Sequence, residues 1–279
     1  MSDGGISATA AATALLRAVA CYETAAISGL KWRDNLAHIF LDEEKRGKLA
    51  SEAYRKAVKA RAKDGLFAYL IARTAYFDSV FLNAPRDDAA QIVILGAGFD
   101  TRAYRYSAHL GKTKVFEIDA PATQAYKRDI LSRHGLDASK VEFIALDFEK
   151  DDMRAQLIHR GFAAKANTCW LWEGVTPYLT AAEATLAAIA ALTERGILAF
   201  DYLVRPVGDE ETISRQGETV HFGLAPEQMD DFLRRFGFTP CEHIGAEAMS
   251  ALFLTGPDGS VFGDIKRSMA FVKAEKAGV

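Results

Sequence analysis

Val93-Ile94-Leu95-Gly96-Ala97-Gly98-Phe99-Asp100-Thr101-Arg102 is the stretch that decides how this chain folds. Branched apolar residues run into two glycines one residue apart, and helix-compatible sequence follows. A run apolar on both faces reads as the end of a buried parallel strand. The glycines let the backbone turn tightly and come close to a ligand at a helix amino terminus. Outward from this point the same rhythm recurs. Residues 91–95, 114–118, 141–145, 168–172 and 196–202 read as strands, with helices over 101–110, 122–134, 151–160 and 181–194 between them. A further helix is expected over 227–236, with strands over 239–244 and 270–273. The alternation implies an α/β fold, a doubly wound, Rossmann-like, mostly parallel sheet.

Upstream the pattern is helical: Leu15, Val19 and Tyr22 recur at intervals of four and three, and Leu66 and Leu70, with Ile71 beside them, at four. Asn83-Ala84-Pro85-Arg86-Asp87-Asp88 is a breaker and charge cluster. Residues 1–85 are therefore expected to form a helical lid or cap, and 86–279 a single compact Rossmann-like unit. The 279 residues are 49% hydrophobic and 25% charged, as in ordinary globular proteins. Lys and Arg (34) nearly balance Asp and Glu (37), for a formal charge of −3, which argues against a nucleic-acid partner. Cys21, Cys169 and Cys241 lie far apart without C-x-x-C spacing, so neither a disulfide framework nor a zinc site is indicated, and a cytoplasmic home is expected. Met1-Ser2-Asp3-Gly4-Gly5 lacks a basic region, so no signal peptide is expected. No uncharged apolar run approaches the roughly 18 residues of a membrane span. The histidines show no metal-ligand spacing, and no metal is expected.

In an open parallel sheet, ligands collect beyond the carboxyl ends of the strands. The first expected strand ends at Gly96-Ala97-Gly98, the second at Glu117-Ile118-Asp119, the third at Asp147-Phe148, the fourth at Glu173-Gly174 and the fifth at Tyr202. Glu117 and Asp119 fall on one face by the two-residue strand period, and the later acid suits the hydroxyls of a ribose. Singly, each feature has a plain structural reading: a tight turn for the glycines, a turn-initiating acid for Asp119, a surface acid for Asp147. Together they outline one nucleoside pocket. A dinucleotide site would carry a third glycine where Thr101 stands, and no Lys-Ser/Thr pair follows as in a triphosphate loop. A glycine turn crowded by Asp100 suits a cationic or zwitterionic ligand, and S-adenosylmethionine fits, yielding S-adenosylhomocysteine as product.

The glycine stretch resembles the first motif of the leucine carboxyl methyltransferase-like family of class I S-adenosylmethionine-dependent methyltransferases. So do Phe116-Glu117-Ile118-Asp119-Ala120-Pro121, Leu146-Asp147-Phe148, and Glu173-Gly174 followed by Tyr178-Leu179. Ala72-Arg73-Thr74 with Phe77-Asp78, and Asp34-Asn35-Leu36-Ala37, resemble two further signatures of that family. The resemblance implies that Arg73 meets the methionine carboxylate and that Gly96, Ala97 and Gly98 line the methionine part. It further implies Asp119 at the ribose, Asp147 and Phe148 at the adenine, and Glu173 near the amino group, with Glu117 in the same cofactor-binding set. Asn35 stands for a usual proline and Phe148 for a usual leucine, so the acceptor does not follow from the family.

Methyl transfer from a sulfonium is governed by alignment and desolvation. A carboxylate acceptor is already ionised near neutrality, whereas a hydroxyl profits from a base. Arg102, Tyr178, Tyr202, Arg205 and His221 are expected on loops facing the pocket, the last four as catalytic candidates and His221 as the first choice of base. Tyr178 also reads as a packing aromatic, Arg205 as a solvated loop residue and His221 as a hydrogen-bonded, partly buried histidine. Trp32 and Tyr76 either line a substrate cavity or pack in the core. The expected activity is O-methylation of a carboxylate or hydroxyl on a small-molecule acceptor, with no membrane partner and the oligomeric state open. Methylation of a protein terminal carboxylate, an NAD-dependent oxidoreductase and a non-catalytic adenosyl sensor remain as alternatives.

Overall fold

The computed structural model describes residues 5–25, 33–148, 150–178, 182–206, 213–215 and 218–278. Among the described residues, helices α1 (Ala8–Ala25), α2 (Glu43–Lys48), α3 (Glu52–Arg61) and α4 (Leu66–Asn83) precede the first strand. Then β1 (Gln91–Leu95), α5 (Arg102–Arg105), β2 (Lys114–Asp119), α6 (Pro121–Arg133), β3 (Val141–Ala145), α7 (Met153–His159), β4 (Thr168–Trp172), α8 (Ala182–Leu192) and β5 (Gly196–Val204) alternate. Short strands β6 (Ile213–Arg215), β7 (Glu218–Val220) and β8 (Gly223–Leu224) lead to α9 (Pro226–Arg234), β9 (Thr239–Ile244), α10 (Ala246–Met249) and β10 (Met269–Lys276).

The main sheet runs β3-β2-β1-β4-β5-β10-β9. Its first five strands are mutually parallel, and β10 is antiparallel to both its neighbours. The chain leaves β1 for β2 on one side and returns to β4 on the other. That reversal opens a crevice beyond the carboxyl ends of β1 and β4. All five side chains of β1 are buried, as are those of β4, because helices cover both faces.

The two-residue strand period divides the core cleanly. Ile92, Ile94, Leu171, Ala199 and Leu203 face α1 and α4, whereas Val93, Leu95, Trp170, Trp172, Phe200 and Tyr202 face α7, α8 and α9. Helix α4 is buried along most of its length and joins the first of these clusters. The expected division at residue 85 therefore does not separate two cores: α4 covers a face of the sheet, and α1 packs beside it. Tyr76 belongs to this packing, stacked on Phe271 at 4.6 Å, rather than to a cavity wall; Trp32 lies outside the described residues.

Two local outcomes differ from the sequence reading. The helix expected over 101–110 is a single turn, α5, followed by a 3-10 turn at Ser107–His109. Asp100 accepts the Arg102 N–H at 2.7 Å, which fixes where α5 starts. The last strand is longer than expected, because β10 pairs with β5 from Met269 to Lys276.

Candidate functional site

Beyond β1 and β4 lies a cavity of about 570 Å³. Its walls come from α1, α4, the turn after β1, the ends of β2, β4 and β5, the segment after β3, and residues 266–269. Gly96 and Gly98 both take left-handed backbone, at φ +62° and +43°. A methyl group on Gly96 would overlap Val175, and one on Gly98 would stand 3.3 Å from the Ala10 Cβ of α1. Glycine is thus required twice within one turn, for conformation and for close approach.

Asp119 closes one side. It accepts the Gly98 N–H on Oδ2 and the Ala120 N–H on Oδ1, the latter at 2.6 Å. Burial pushes its carboxyl upward, and the two backbone donors pull the other way. The carboxylate therefore joins the glycine turn to the end of β2 while facing the cavity. Asp147 and Phe148 line the wall beyond, with Lys150 2.9 Å from the Asp147 carboxylate.

At the opposite side Arg73 reaches from α4 across the end of β4. Its Nε donates to Glu173 at 2.9 Å, and its Nη1 lies 3.5 Å from Asp201. Asp201 also accepts the Tyr69 hydroxyl at 2.5 Å and the Gly174 N–H at 2.6 Å. Although burial opposes its charge, Glu173 and Asp201 hold the guanidinium above its ordinary pKa. Burial, with the Asp201 charge, raises the Tyr69 phenol far enough to keep it a donor. Gly174, at φ +70°, leaves room that a side chain would take from Arg73.

Behind these groups runs a buried ionic chain. Glu173 meets Arg102 at 2.7 Å, and Arg102 also binds Asp100 and, at 2.8 Å, Asp78. Asp78 pairs with Arg105 at 2.8 Å. Asp34 accepts the Ala37 N–H at 3.0 Å and the Thr101 hydroxyl at 2.8 Å, and Arg17 approaches it at 3.4 Å. Burial disfavours the Asp100 charge, yet Arg102 holds that carboxyl down at about 2. Breaking one member of such a chain leaves an uncompensated buried charge.

The structure brings Arg73, Gly96, Ala97, Gly98, Asp119, Asp147, Phe148 and Glu173 to the one cavity. It places several other candidates elsewhere. Glu117 shares a face with Asp119 but sits two residues deeper, against Lys127 at 2.6 Å and under Tyr104, outside the cavity lining. Arg102 is spent on its three carboxylates. Tyr202 points to the other side of the sheet, where its hydroxyl meets the His243 ring, because the strand period gives the cavity side to its neighbour Asp201. Arg205 is buried against Gly223 and does not line the cavity. His221 is exposed, tied by its N–H to the Pro177 carbonyl at 2.7 Å, and also lies off the cavity. Tyr178 ends a 3-10 turn at Thr176–Tyr178, and its side chain, like Leu179, falls outside the described residues.

Among the cavity residues that the sequence reading did not assign to the site are Asp201, Tyr69 and Arg17. Asp201 had a signal, a lone charge inside an apolar strand; Arg17 had a weaker one, a charge in an otherwise apolar helix that also carries Glu23. Tyr69 had none, being one aromatic among many on α4. Thr101, where a dinucleotide site would need glycine, is fully buried and donates to Asp34. Among the described residues no helix is long and apolar enough to cross a membrane.

The leucine carboxyl methyltransferase family model matches residues 10–190. Over 112 residues the chain is 45% identical to a Mycobacterium avium (strain 104) protein named "Putative S-adenosyl-L-methionine-dependent methyltransferase", spanning 40% of this chain and 35% of that one. Over 131 residues it is 40% identical to a protein of the same name from Mycobacterium tuberculosis (strain ATCC 25177 / H37Ra), spanning 46% and 42%. The matched stretch is thus under half the length of these curated relatives. Among solved structures, a "putative methyltransferase" from Thermobifida fusca YX superimposes with a TM-score of 0.55 at 17% identity, covering 81% of this chain and 89% of that one. That likeness concerns the fold.

Proposed function

Because the chain belongs to the leucine carboxyl methyltransferase family, we propose that it transfers a methyl group from S-adenosylmethionine to a carboxylate or hydroxyl oxygen of a small molecule. The observation that carries this reading is the meeting of Asp119, the Gly96–Gly98 turn and the Arg73–Glu173–Asp201 cluster around one cavity. The donor set suits the cofactor. Asp119, bound to two backbone N–H groups, keeps acceptor capacity for the ribose hydroxyls. Arg73 would take the methionine carboxylate and Glu173 the ammonium, while Leu146, Asp147 and Phe148 would enclose the adenine. When bound, the cofactor supplies a methyl carbon on positively charged sulfur: the acceptor oxygen forms the new C–O bond as the C–S bond breaks, its electron pair staying on sulfur.

The chain's own part is alignment and exclusion of water. Asp201 is a positioning residue. Through Tyr69, Gly174 and Arg73 it ties α4 to the ends of β4 and β5, fixing the cluster that grips the amino-acid end. Helix α1, which lines the cavity with Ala10, Thr13 and Arg17, would act as a lid whose ordering follows cofactor binding. A carboxylate acceptor needs only orientation; a hydroxyl acceptor releases its proton to solvent or a base as the C–O bond forms.

Incubation with methyl-labelled S-adenosylmethionine and cell extract, followed by separation of small molecules from protein, tests the reading. Label in an alkali-labile ester or stable ether among the small molecules is the expected result. Label on protein would instead support methylation of a terminal carboxylate, and no transfer beyond a no-enzyme control would contradict both.

A further inference from the structure

The cavity extends beyond the groups proposed to hold the cofactor. Past the adenine wall, Asp119 and the Arg73–Glu173 pair, α4 supplies Leu70 and Leu66, β5 supplies Leu203, and β10 supplies Met269. At 1.5 Å per residue, Arg73 and Leu66 are roughly 10 Å apart along the helix. Leu203 and Met269 are register partners across β5 and β10, so they form one patch on the sheet face that α4 covers.

This stretch is bounded. Gly65, at the start of α4, has φ +71°, and a Cβ there would stand 2.5 Å from both the Ile265 carbonyl carbon and the Lys266 nitrogen. Beside that contact the rings of Phe67 and Phe262 lie 6.0 Å apart. The first turn of α4 and residues 262–266 are thus pressed together, main chain to main chain at Gly65, and the walls that carry Leu66 and Lys266 meet there.

Charge does not choose the occupant. Arg73 is matched by Glu173 and Asp201, Arg17 by the Phe99 carbonyl at 2.7 Å and Asp34 at 3.4 Å, and Lys266 already has a partner. The leucines and the methionine offer a polar body no hydrogen bond in exchange for its water, whereas a hydrocarbon or aromatic body gains from leaving water.

We infer that the methyl acceptor carries its oxygen at the end of an apolar body of bounded length, a hydrocarbon or aryl chain that lies along Leu70, Leu203 and Met269 and stops at Leu66. The inference rests on the methyltransferase reading and deepens it. With the ribose at Asp119 and the amino-acid end at Arg73 and Glu173, the sulfur lies between them. The oxygen then meets the methyl group where the apolar stretch begins, and the body trails away toward Leu66.

The test uses full-length protein saturated with S-adenosylhomocysteine, titrated calorimetrically with straight-chain alcohols from ethanol to decanol and carboxylates from acetate to decanoate. Oligoethylene glycols of matching length serve as polar counterparts. In the series that binds, affinity is expected to rise roughly threefold per methylene up to a limiting length, with no such rise in the glycols. Leu66 is half-buried on the first turn of α4, so substitutions there probe the wall without opening the core. Leu66→Trp should move the limit to a shorter chain, and Leu66→Asn, close in size but polar, should flatten the last part of the rise. A flat response to chain length, an equal rise in the glycols, a limit or a rise untouched by both variants, or no binding by either series would overturn the inference. S-adenosylhomocysteine affinity, measured first in each protein and expected to be the same in all, separates the two claims. If the wild type fails to bind it, the methyltransferase reading falls; if it binds and the length dependence is missing, only the acceptor assignment falls.

Discussion

Arg73 and Asp119 stand on opposite sides of the cavity, and both are largely buried. Each offers a charge-assisted hydrogen bond to a different part of the proposed cofactor. Replacing either with alanine should weaken S-adenosylhomocysteine binding by roughly 1–3 kcal/mol, read by calorimetry. Tyr202→Phe is the informative contrast. Tyr202 lies across the sheet against His243, so its loss should leave that affinity unchanged and lower stability by about 1 kcal/mol in urea unfolding. The contrast also marks what the sequence could say at this scale. Residues at strand ends could be registered to within one position, but a slip of one residue moves a side chain to the other face. Asp201 and Tyr202 differ by that one step: the cavity face belongs to Asp201 and the opposite one to Tyr202. Glu117 illustrates a different limit: its face was legible, but its depth below the strand end, and the Lys127 that covers it, were not.

Among the elements, the strands were the most legible. The parallel strands β1, β3 and β4, and the antiparallel edge strand β9, begin and end where the pattern placed them. Helix α5 was overestimated, since its arginines satisfy buried carboxylates rather than an exposed helical face. The role of α4 was hidden because amphipathic spacing does not say which surface a helix covers; only the assembled sheet provides one. Helix α1 leads to a specific expectation. It lines the cavity, and Ser7, just before it, donates its N–H to Thr123 at 3.0 Å as a tie to α6. Saturation with S-adenosylhomocysteine should slow amide hydrogen exchange across residues 8–25 by at least tenfold while leaving α9 unaffected. Equal protection of both helices, or of neither, would remove the lid from the account.

For the whole molecule, the buried charge chain and the pair beneath the glycine turn make stability depend on pH in opposite directions. Burial pushes the Glu117 carboxyl from its ordinary 4.5 up to about 7, against the pull of Lys127. The folded chain then holds a proton that the unfolded chain has released. This contribution is complete below pH 4.5 and is lost as pH rises through about 7. Asp100 behaves oppositely: its stabilisation is present above 3.8 and is lost as pH falls through about 2. Thermal unfolding of a Glu117→Gln/Lys127→Met double variant should show a flatter pH dependence between 4.5 and 7 than the parent. The most direct test of the central claim is a crystal structure with S-adenosylhomocysteine. Its ribose hydroxyls are expected on the Asp119 carboxylate and its amino-acid end between Arg73 and Glu173; a ligand bound away from Asp119, or none at saturating concentration, would contradict that assignment.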